Sequence, residues 1–238
     1  MALASRKLLD QIGAKKIYEG DSEDQLILAF NDNMVDNDGT VKGKVKGKSS
    51  KNNDIASQIF EYLESYNVMT HFTSKLSDKE MQVKKCELLP LKIVISNAAE
   101  KNLSKKFGIQ EGTLLTAPII EYYYKNDKLK NPIVNESHMN ALNLIGQEEV
   151  HFLGRTVVKV NAVLKSFFER RNMILSELRL SLGRYRGYLL VGDEISPDTC
   201  NFWGIDGENN IDKDVFRYDK GKPETIYQNI VNQIGLGE

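Results

Sequence analysis

One stretch of the chain, LRLSLGRYRGYLLVGDE at residues 178–194, constrains the fold more than any other. In its first part leucines alternate with polar residues, with Leu178, Leu180 and Leu182 set against Arg179 and Ser181. Such a period of two predicts a strand with one buried face, and the glycine-containing turn that follows predicts an antiparallel hairpin. The face that carries Arg179 and Ser181 is polar, so we expect it to line either solvent or a cleft.

The rest of the chain mixes strands with helices. Apolar runs bounded by turn residues predict strands at 15–20, 24–30, 81–96 and 117–126. Apolar residues at helical spacing, or a terminal glycine or proline, predict helices at 52–67, 100–108, 148–172 and 223–235. Hairpins outnumber β-α-β units in this order, which indicates an α+β fold rather than a doubly wound parallel sheet.

A proline marks the predicted boundary between two domains. Pro90 interrupts the run 81–96, because proline cannot donate a hydrogen bond to a strand ladder. We therefore predict a small N-terminal lobe at residues 1–89, rich in antiparallel strands, and a larger α+β domain at residues 90–238.

A long polar stretch at residues 31–53 has two interpretations. Its lysines alternate with small residues, at Lys42, Lys44, Lys46 and Lys48. The favoured interpretation is a solvated, flexible loop that ends where Asn52 or Asn53 caps the next helix. The alternative is a loop that faces phosphate groups, because glycines allow close backbone approach while lysines supply positive charge.

Composition narrows the class of protein. The formal net charge is −1, so we predict no binding to nucleic acid through bulk charge. Neither an apolar N-terminal region of signal-peptide length nor a run long enough to span a membrane is present in the sequence. Cys86 and Cys200 show no zinc-site spacing and are predicted to be reduced thiols. These features predict a soluble protein of the cytoplasm without a membrane partner.

The candidate chemistry is carried by lysines, an arginine and carboxylates that lie beside strands. They are Lys15, Lys84, Lys85, Lys125, Arg179, Asp193, Glu194 and Asp198. Because the sequence contains no nucleophile motif, Walker loop or dinucleotide fingerprint, this set favours phosphoryl transfer, which needs positioned cations and a carboxylate-held Mg²⁺. The three histidines, His71, His138 and His151, are each interpreted as structural residues.

Six segments, in this order, resemble the phosphoribosylaminoimidazole-succinocarboxamide synthase (SAICAR synthetase) family. They are KKIYEG, THFTSKLSDKEMQVKKCELLPL, FGIQEGT, YYYKNDKLKNPIVNESH, GDEISPDTCNFW and DKDVFR. The resemblance implies a β-rich lobe and a larger α+β domain that hold ATP and Mg²⁺ between them. It also implies a homodimer that joins L-aspartate to carboxyaminoimidazole ribonucleotide through an acyl phosphate, with release of ADP and phosphate.

The resemblance assigns roles to individual positions. Lys125, Arg179 and Asp193 are expected to take part in catalysis, with Asp193 also as a metal ligand. The residues expected to bind the nucleotide are Lys15, Lys84, Lys85, Cys86 and Glu87. Those expected to bind the other substrates are Asp38, Asn102, Asp127, Glu194, Ser196 and Asp198.

The chain departs from the family pattern at several of its site positions. Gly13 stands at the first lysine of the phosphate loop, and Ser181 at a metal-binding glutamate. Arg179 stands at a lysine and keeps its charge, though not its hydrogen-bond geometry. Ser96 and Asn102 stand where the family carries an arginine and a serine that are expected to bind the ribotide phosphate. Asn201 stands at a later arginine, and Asn131 stands at an aspartate.

These departures leave three hypotheses. The first is an active synthetase with altered contacts, in which Lys101, Lys105 or Lys106 supplies the phosphate charge that Ser96 cannot. The second is a nucleotide-binding paralogue that keeps the fold but does not turn over. The third is a phosphotransferase that acts on another carboxylate, because a fold does not fix a function.

Overall fold

The computed structural model describes residues 6–35, 41–208, 210–217 and 221–236. In chain order, the strands are β1 (Leu8–Ile12), β2 (Lys15–Glu19), β3 (Gln25–Phe30), β4 (Asn33–Val35), β5 (Val41–Lys44), β6 (Phe72–Ser77), β7 (Glu80–Lys84), β8 (Glu87–Leu88), β9 (Leu91–Ala98), β10 (Leu114–Tyr124), β11 (Ile133–Val134), β12 (Met173–Tyr185), β13 (Tyr188–Gly192), β14 (Cys200–Ile205) and β15 (Ile211–Asp212). The helices are α1 (Lys48–Ser65), α2 (Lys101–Phe107), α3 (Glu136–Ala141), α4 (Gln147–Glu169) and α5 (Pro223–Ile234).

The first sheet is antiparallel and is built from the N-terminal part of the chain. Its strand order is β1-β2-β3-β7-β6. Lys15 opens β2 opposite Ile12, across a turn in which Gly13 has a φ of 56°. Glycine adopts this left-handed conformation without a steric penalty, so the turn can be tight enough to start β2 at Lys15.

The second sheet holds the predicted hairpin. Its strand order is β11-β10-β9-β12-β14-β15, and β12 also pairs with β8 and β13. Tyr185 pairs with Tyr188 across Arg186 and Gly187, which both have positive φ. Two central residues with positive φ define the tight turn that matches the twist of hairpin strands. The hairpin prediction is confirmed, and so is the α+β fold class.

Helices pack against the apolar faces of both sheets. The predicted stripe on α4 is buried, at Val150, Leu153, Val157, Val160, Leu164 and Phe168. Side chains of both sheets, such as Leu28 in β3 and Leu178 in β12, belong to the same apolar cluster. Burial of this continuous cluster removes apolar surface from water and thereby fixes one sheet against the other. No helix within the described ranges has the length and apolar character needed to cross a membrane.

The start of α1 differs from the prediction. The helix begins at Lys48 after Gly47, so the expected cap at Asn52 or Asn53 is wrong. The carboxylate of Asp32 accepts hydrogen bonds from the backbone N–H groups of Gly47 and Ser49, at 3.3 and 2.9 Å. This contact satisfies N–H groups that a helix start otherwise leaves without partners, and it comes from outside the helix.

The predicted polar loop also contains regular structure. β4 pairs with β5 as a short antiparallel hairpin, so Lys42 and Lys44 lie on a strand and are exposed. Lys48, by contrast, is buried at the first position of α1. The four lysines therefore do not share one environment.

Candidate active site

A buried lysine joins the two sheets at the end of the predicted hairpin. Lys15 is 7% exposed, and its ammonium group contacts the carboxylate of Asp193. The distance from Lys15 Nζ to Glu194 Oε1 is 2.8 Å. Since Lys15 opens a strand of the first sheet and Asp193 follows β13, one side chain from each sheet meets here. The end of β13 therefore places Asp193 and Glu194 beside a lysine of the first sheet.

The backbone after β13 turns sharply to present these acids. Asp193 has a φ of 65°, a left-handed conformation that aspartate tolerates better than most residues. Just before it, Val191 N donates to Met69 O and His71 N donates to Val191 O, both at 2.9 Å. These two bonds tie the end of the hairpin to the segment that leads into β6.

The charges in this cluster shift one another's pKa. Burial disfavours the charged form of Lys15, but the carboxylates of Asp193 and Glu194 more than offset it and raise the pKa of this lysine. Burial likewise opposes ionisation of Asp193, yet the adjacent Lys15 holds the pKa of its carboxyl group below the ordinary value. Burial, with Asp198 and Asp193 nearby, raises the pKa of Glu194. With both acids ionised, Asp193 and Glu194 carry two negative charges against the positive charge of Lys15, and the nearby Lys125 supplies a second positive charge.

Lys125 lies next to this cluster. Its Nζ donates to Ser181 Oγ at 3.2 Å, and Ser181 pairs with Gly192, the residue before Asp193. Burial and the positive charge of Lys15 lower the pKa of Lys125, whereas Asp193 opposes this shift. The structure therefore brings together Lys15, Lys125 and Asp193, which are far apart in sequence.

The turn that follows Glu194 is held by internal hydrogen bonds. Ser196 Oγ donates to Glu194 Oε2 at 2.9 Å and accepts from the backbone N–H of Asp198 at 3.1 Å. The carboxylate of Asp198 contacts Lys48 Nζ through one oxygen and the hydroxyl of Tyr227 through the other. Asp198, predicted to bind substrate, thus has both oxygens occupied by the protein.

Residues 84–87, predicted to bind the nucleotide, cross from the first sheet to the second. Lys84 ends β7 and donates through Nζ to Thr70 O at 3.0 Å. Glu87 lies in β8, and its Oε1 is 3.5 Å from a terminal guanidinium nitrogen of Arg184. Between them, Lys85 N donates to Asp24 O at 2.8 Å. Burial raises the pKa of the Cys86 thiol to about 11, so this cysteine is protonated at neutral pH.

The polar face of β12 forms the floor of two adjoining cavities. The smaller has a volume of about 260 Å³ and the larger about 620 Å³. They share four lining residues, Lys92, Asn102, Glu177 and Arg179. Arg179 donates to Glu177 at 2.9 Å and to the backbone oxygen of Asp198 at 3.3 Å. Arg179 therefore lines a cleft, one of the two possibilities that the alternation left open, whereas Ser181 on the same face is buried and lines neither cavity.

Four of the positions that depart from the family pattern, in addition to Arg179, lie along these cavities. Ser96, Asn102 and Asn131 line the smaller one, and Asn102 and Asn201 line the larger. Of the lysines expected to compensate, Lys106 contacts Glu121 and Lys101 lines the larger cavity, whereas Lys105 lines neither. Four replaced residues thus line two adjoining cavities.

One further predicted residue, Asp127, lies apart from this cluster. Asp127 is exposed on the turn after β10, and its carboxylate accepts from Asn131 Nδ2 at 3.2 Å. Asp38 lies outside the described residues.

Three residues of the site were absent from the predicted set: Lys48, which contacts Asp198, and Lys92 and Tyr227, which line the cavities. Lys92 is a charged residue within the otherwise apolar run LKIVI, and this interruption was the available signal. The partners of Lys48 and Tyr227 are 150 and 29 residues away, so no local pattern identifies them.

Comparison with known proteins gives a consistent result. The family model described as SAICAR synthetase matches residues 12–234. The phosphoribosylaminoimidazole-succinocarboxamide synthase of Thermoanaerobacter sp. (strain X514) is 38% identical over 233 residues, which cover 98% of this chain and 99% of that protein. The synthase of Chlorobium phaeobacteroides (strain BS1) is 39% identical over 228 residues, covering 96% and 97%.

Solved structures agree over the same length. The crystal structure of the Ehrlichia chaffeensis synthase superimposes with a TM-score of 0.89 at 31% identity and covers 97% of this chain and 99% of that one. A SAICAR synthetase in complex with ADP superimposes with a TM-score of 0.88 at 35% identity and covers 98% of both chains. The chain therefore belongs to the SAICAR synthetase family.

Proposed function

We propose that this chain is an ATP-dependent ligase that joins L-aspartate to carboxyaminoimidazole ribonucleotide and gives SAICAR, ADP and phosphate. Family membership along nearly the whole chain supports this activity. The structural observation that carries it is the cluster of Lys15, Lys125 and Asp193, contributed by three separate stretches. Such a cluster suits a reaction that depends on charge stabilisation rather than on a protein nucleophile.

The proposed reaction has two steps. An oxygen of the ribotide carboxylate attacks the γ-phosphorus of ATP, the bond to ADP breaks, and an acyl phosphate forms. The amine of aspartate then attacks the acyl carbon, phosphate leaves, and the nitrogen loses a proton to give the amide. Lys15 and Lys125 stabilise the negative charge on the transferring group, and the cleft excludes water from the acyl phosphate.

Asp193 is the residue that we propose to hold Mg²⁺ arriving with ATP. Mg²⁺ in such sites is bound by one or two carboxylates together with substrate phosphates, so a dedicated cage of acids is not required. The described residues contain no group of three or more potential metal ligands, while the Asp193 side chain is 32% exposed beside Lys15. These residues fit a metal carried in by the nucleotide, which would neutralise phosphate charge.

The same proposal covers the other roles. The crossing segment from Lys84 to Glu87 binds the nucleotide between a lobe at 1–89 and a domain at 90–238. Asp38, Asn102, Asp127 and Glu194 bind the remaining substrates, and Ser196 and Asp198 shape the turn beside them. A homodimer in the cytoplasm completes the proposal, and the family resemblance supports this part.

A second candidate is a nucleotide-binding protein of the same fold without turnover. The observation that favours it is Ser181, whose hydroxyl lies where the family carries a metal-binding glutamate, because a hydroxyl is a weaker ligand for Mg²⁺ than a carboxylate. The four replaced residues along the cavities point the same way.

One assay separates the candidates. Purified protein is incubated with ATP, Mg²⁺, L-aspartate and carboxyaminoimidazole ribonucleotide, and ADP and SAICAR are measured together. The ligase is supported if ADP and SAICAR form in equal amounts and if the Lys15→Met variant forms neither. Binding of ADP without either product supports the second candidate, and ADP formation only with another carboxylic acid supports a different phosphotransferase.

A further inference from the structure

The smaller cavity beside β12 contains a lysine that forms no ion pair within the described residues. Three cationic side chains line this cavity: Lys92, Lys106 and Arg179. Lys106 contacts Glu121, and Arg179 lies 2.9 Å from Glu177. Lys92 has no carboxylate within 4.0 Å in the part of the chain that the structure describes, although its side chain is half-buried. A half-buried ammonium group that forms no direct ion pair is a costly arrangement unless a ligand completes it.

The strand register places Lys92 close to the reactive cluster. Lys92 pairs with Tyr123 of β10, two residues before Lys125, and Arg179 pairs with Val94 of β9. Alternate residues of a strand share a face, so Lys92 and Arg179 lie on the same floor as Ser181, which contacts Lys125. Arg179 and Ser181 are one repeat apart, roughly 7 Å.

The electrostatics of this floor favour an incoming anion. Burial and the nearby charges of Arg179 and Lys125 lower the pKa of Lys92, and Glu177 opposes them. The side chain therefore experiences two neighbouring cations and one carboxylate. A ligand with a phosphate or carboxylate group would restore the balance and accept hydrogen bonds from Lys92.

We propose that Lys92, together with Arg179, forms an anion-binding site that holds a phosphate or carboxylate group of a substrate in the cavity next to Lys125. This site binds the end of the substrate that does not react, while Lys15 and Lys125 face the reacting end. The identity of the substrate rests on the proposed function, but anion binding at Lys92 does not. Lys92 of β9, rather than a lysine of α2, thereby supplies the positive charge that Ser96 cannot.

Calorimetric titration of the full chain, saturated with ADP and Mg²⁺, tests this site. The probes are inorganic phosphate, ribose 5-phosphate, L-aspartate and succinate, with ribose as the neutral control. Lys92→Met is expected to weaken binding of at least one anionic probe by about ten- to a hundredfold, the loss typical of a hydrogen bond to a charged group. Lys92→Arg, which keeps the charge, is expected to stay within a few-fold of the original protein.

Lys105→Met is the matched control, because Lys105 is an exposed lysine of α2 that lines neither cavity. Loss of the phosphate probes alone assigns the site to a phosphate group, and loss of the dicarboxylates alone assigns it to a carboxylate. The site is wrong if no anionic probe binds the original protein, if Lys92→Met leaves every affinity unchanged, or if Lys105→Met has the same effect. ADP affinity and unfolding temperature show that each variant is folded. Absence of SAICAR formation would contradict the proposed reaction without changing these binding results.

Discussion

The ammonium group of Lys48 contacts the carboxylate of Asp198, which lies 150 positions later in the chain. Lys48 is the first residue of α1 and its side chain is 1% exposed, whereas Asp198 belongs to the turn that follows the acids of the site. Lys48 Nζ also donates to Asn33 O at 2.9 Å, and the hydroxyl of Tyr227 in α5 contacts the same carboxylate. One buried ion pair thus joins the first helix, the active-site turn and the last helix.

Replacement of Lys48 by Met is expected to destabilise the protein strongly. It leaves Asp198 largely buried without its cation, and breaking one side of a buried pair costs about 3–5 kcal/mol. Urea unfolding of Lys48→Met, Asp198→Asn and the double variant measures the coupling. We expect the double variant to be less destabilised than the sum of the single variants, and simple additivity would contradict a direct interaction. Lys46→Met is the control, because Lys46 is exposed.

Replacement of Lys15 by Met is expected to remove ATP-dependent activity and to weaken nucleotide binding. The variant takes away the cation next to Asp193 and Glu194, which then repel each other and any bound phosphate. The free energy of unfolding at pH 7 should fall by about 3–5 kcal/mol. Calorimetric titration with ADP and Mg²⁺ measures the loss of affinity. Lys16→Met, on the same strand and without an ion pair among the described residues, should retain normal affinity; an equal loss there would argue against a specific role for Lys15.

The buried His71 is expected to make the protein sensitive to mild acid. Burial lowers the pKa of His71 to about 4, assisted by Lys15 and opposed by Asp193. Because the unfolded chain takes up the proton near pH 6.5, the stabilising contribution is complete above that pH and declines as pH falls toward 4. The loss is about 1.4 kcal/mol per pH unit, or roughly 3 kcal/mol over this range.

Urea unfolding between pH 4 and 7 measures this effect as the difference between the original protein and His71→Gln. We expect the variant to lose less stability on acidification. His151→Gln, which changes an exposed residue of α4, should follow the original protein. Parallel curves for the original protein and His71→Gln would show that His71 does not titrate in this range.

Replacement of Ser181 by Glu is expected to lower the Mg²⁺ concentration that ADP binding requires. The new carboxylate would lie beside Lys125 and near Asp193, and it would add a hard oxygen ligand at the position where the family carries one. We expect half-maximal ADP binding at about tenfold lower Mg²⁺, as estimated for one added charged ligand contact. Ser181→Gln has the same size without the charge and should leave the requirement unchanged. An unchanged requirement in Ser181→Glu would place the metal elsewhere.

Features that depend on local pattern could be predicted from the sequence. The alternation at residues 178–182 gave the β12–β13 hairpin, and the apolar spacing of residues 150–168 gave α4. The convergence of Lys15, Lys125 and Asp193 was predicted by resemblance rather than by periodicity, because nothing local relates residues of different sheets.

Features that depend on distant partners could not be predicted. The start of α1 at Lys48 is fixed by Asp32, which satisfies the N–H groups of a segment without a local cap. Lys48 can be buried because its ammonium group contacts the carboxylate of Asp198 and donates to Asn33 O. These partners are not visible in the local sequence, where a lysine next to serines suggests exposure to solvent. Lys92 interrupts an apolar run in the sequence, but that it lines the cavity beside β12 depends on residues of other strands.

The contact between Tyr227 and Asp198 also has a consequence for how the molecule is made. Both sheets can assemble once β15 has left the ribosome, yet the turn after Glu194 still lacks the phenol hydroxyl that α5 provides. Domains generally fold as units during synthesis, beginning at the N-terminus. A nascent chain that has emerged only as far as β15 therefore contains every strand, but Asp198 in the turn after Glu194 receives the hydroxyl of Tyr227 only when the last helix docks.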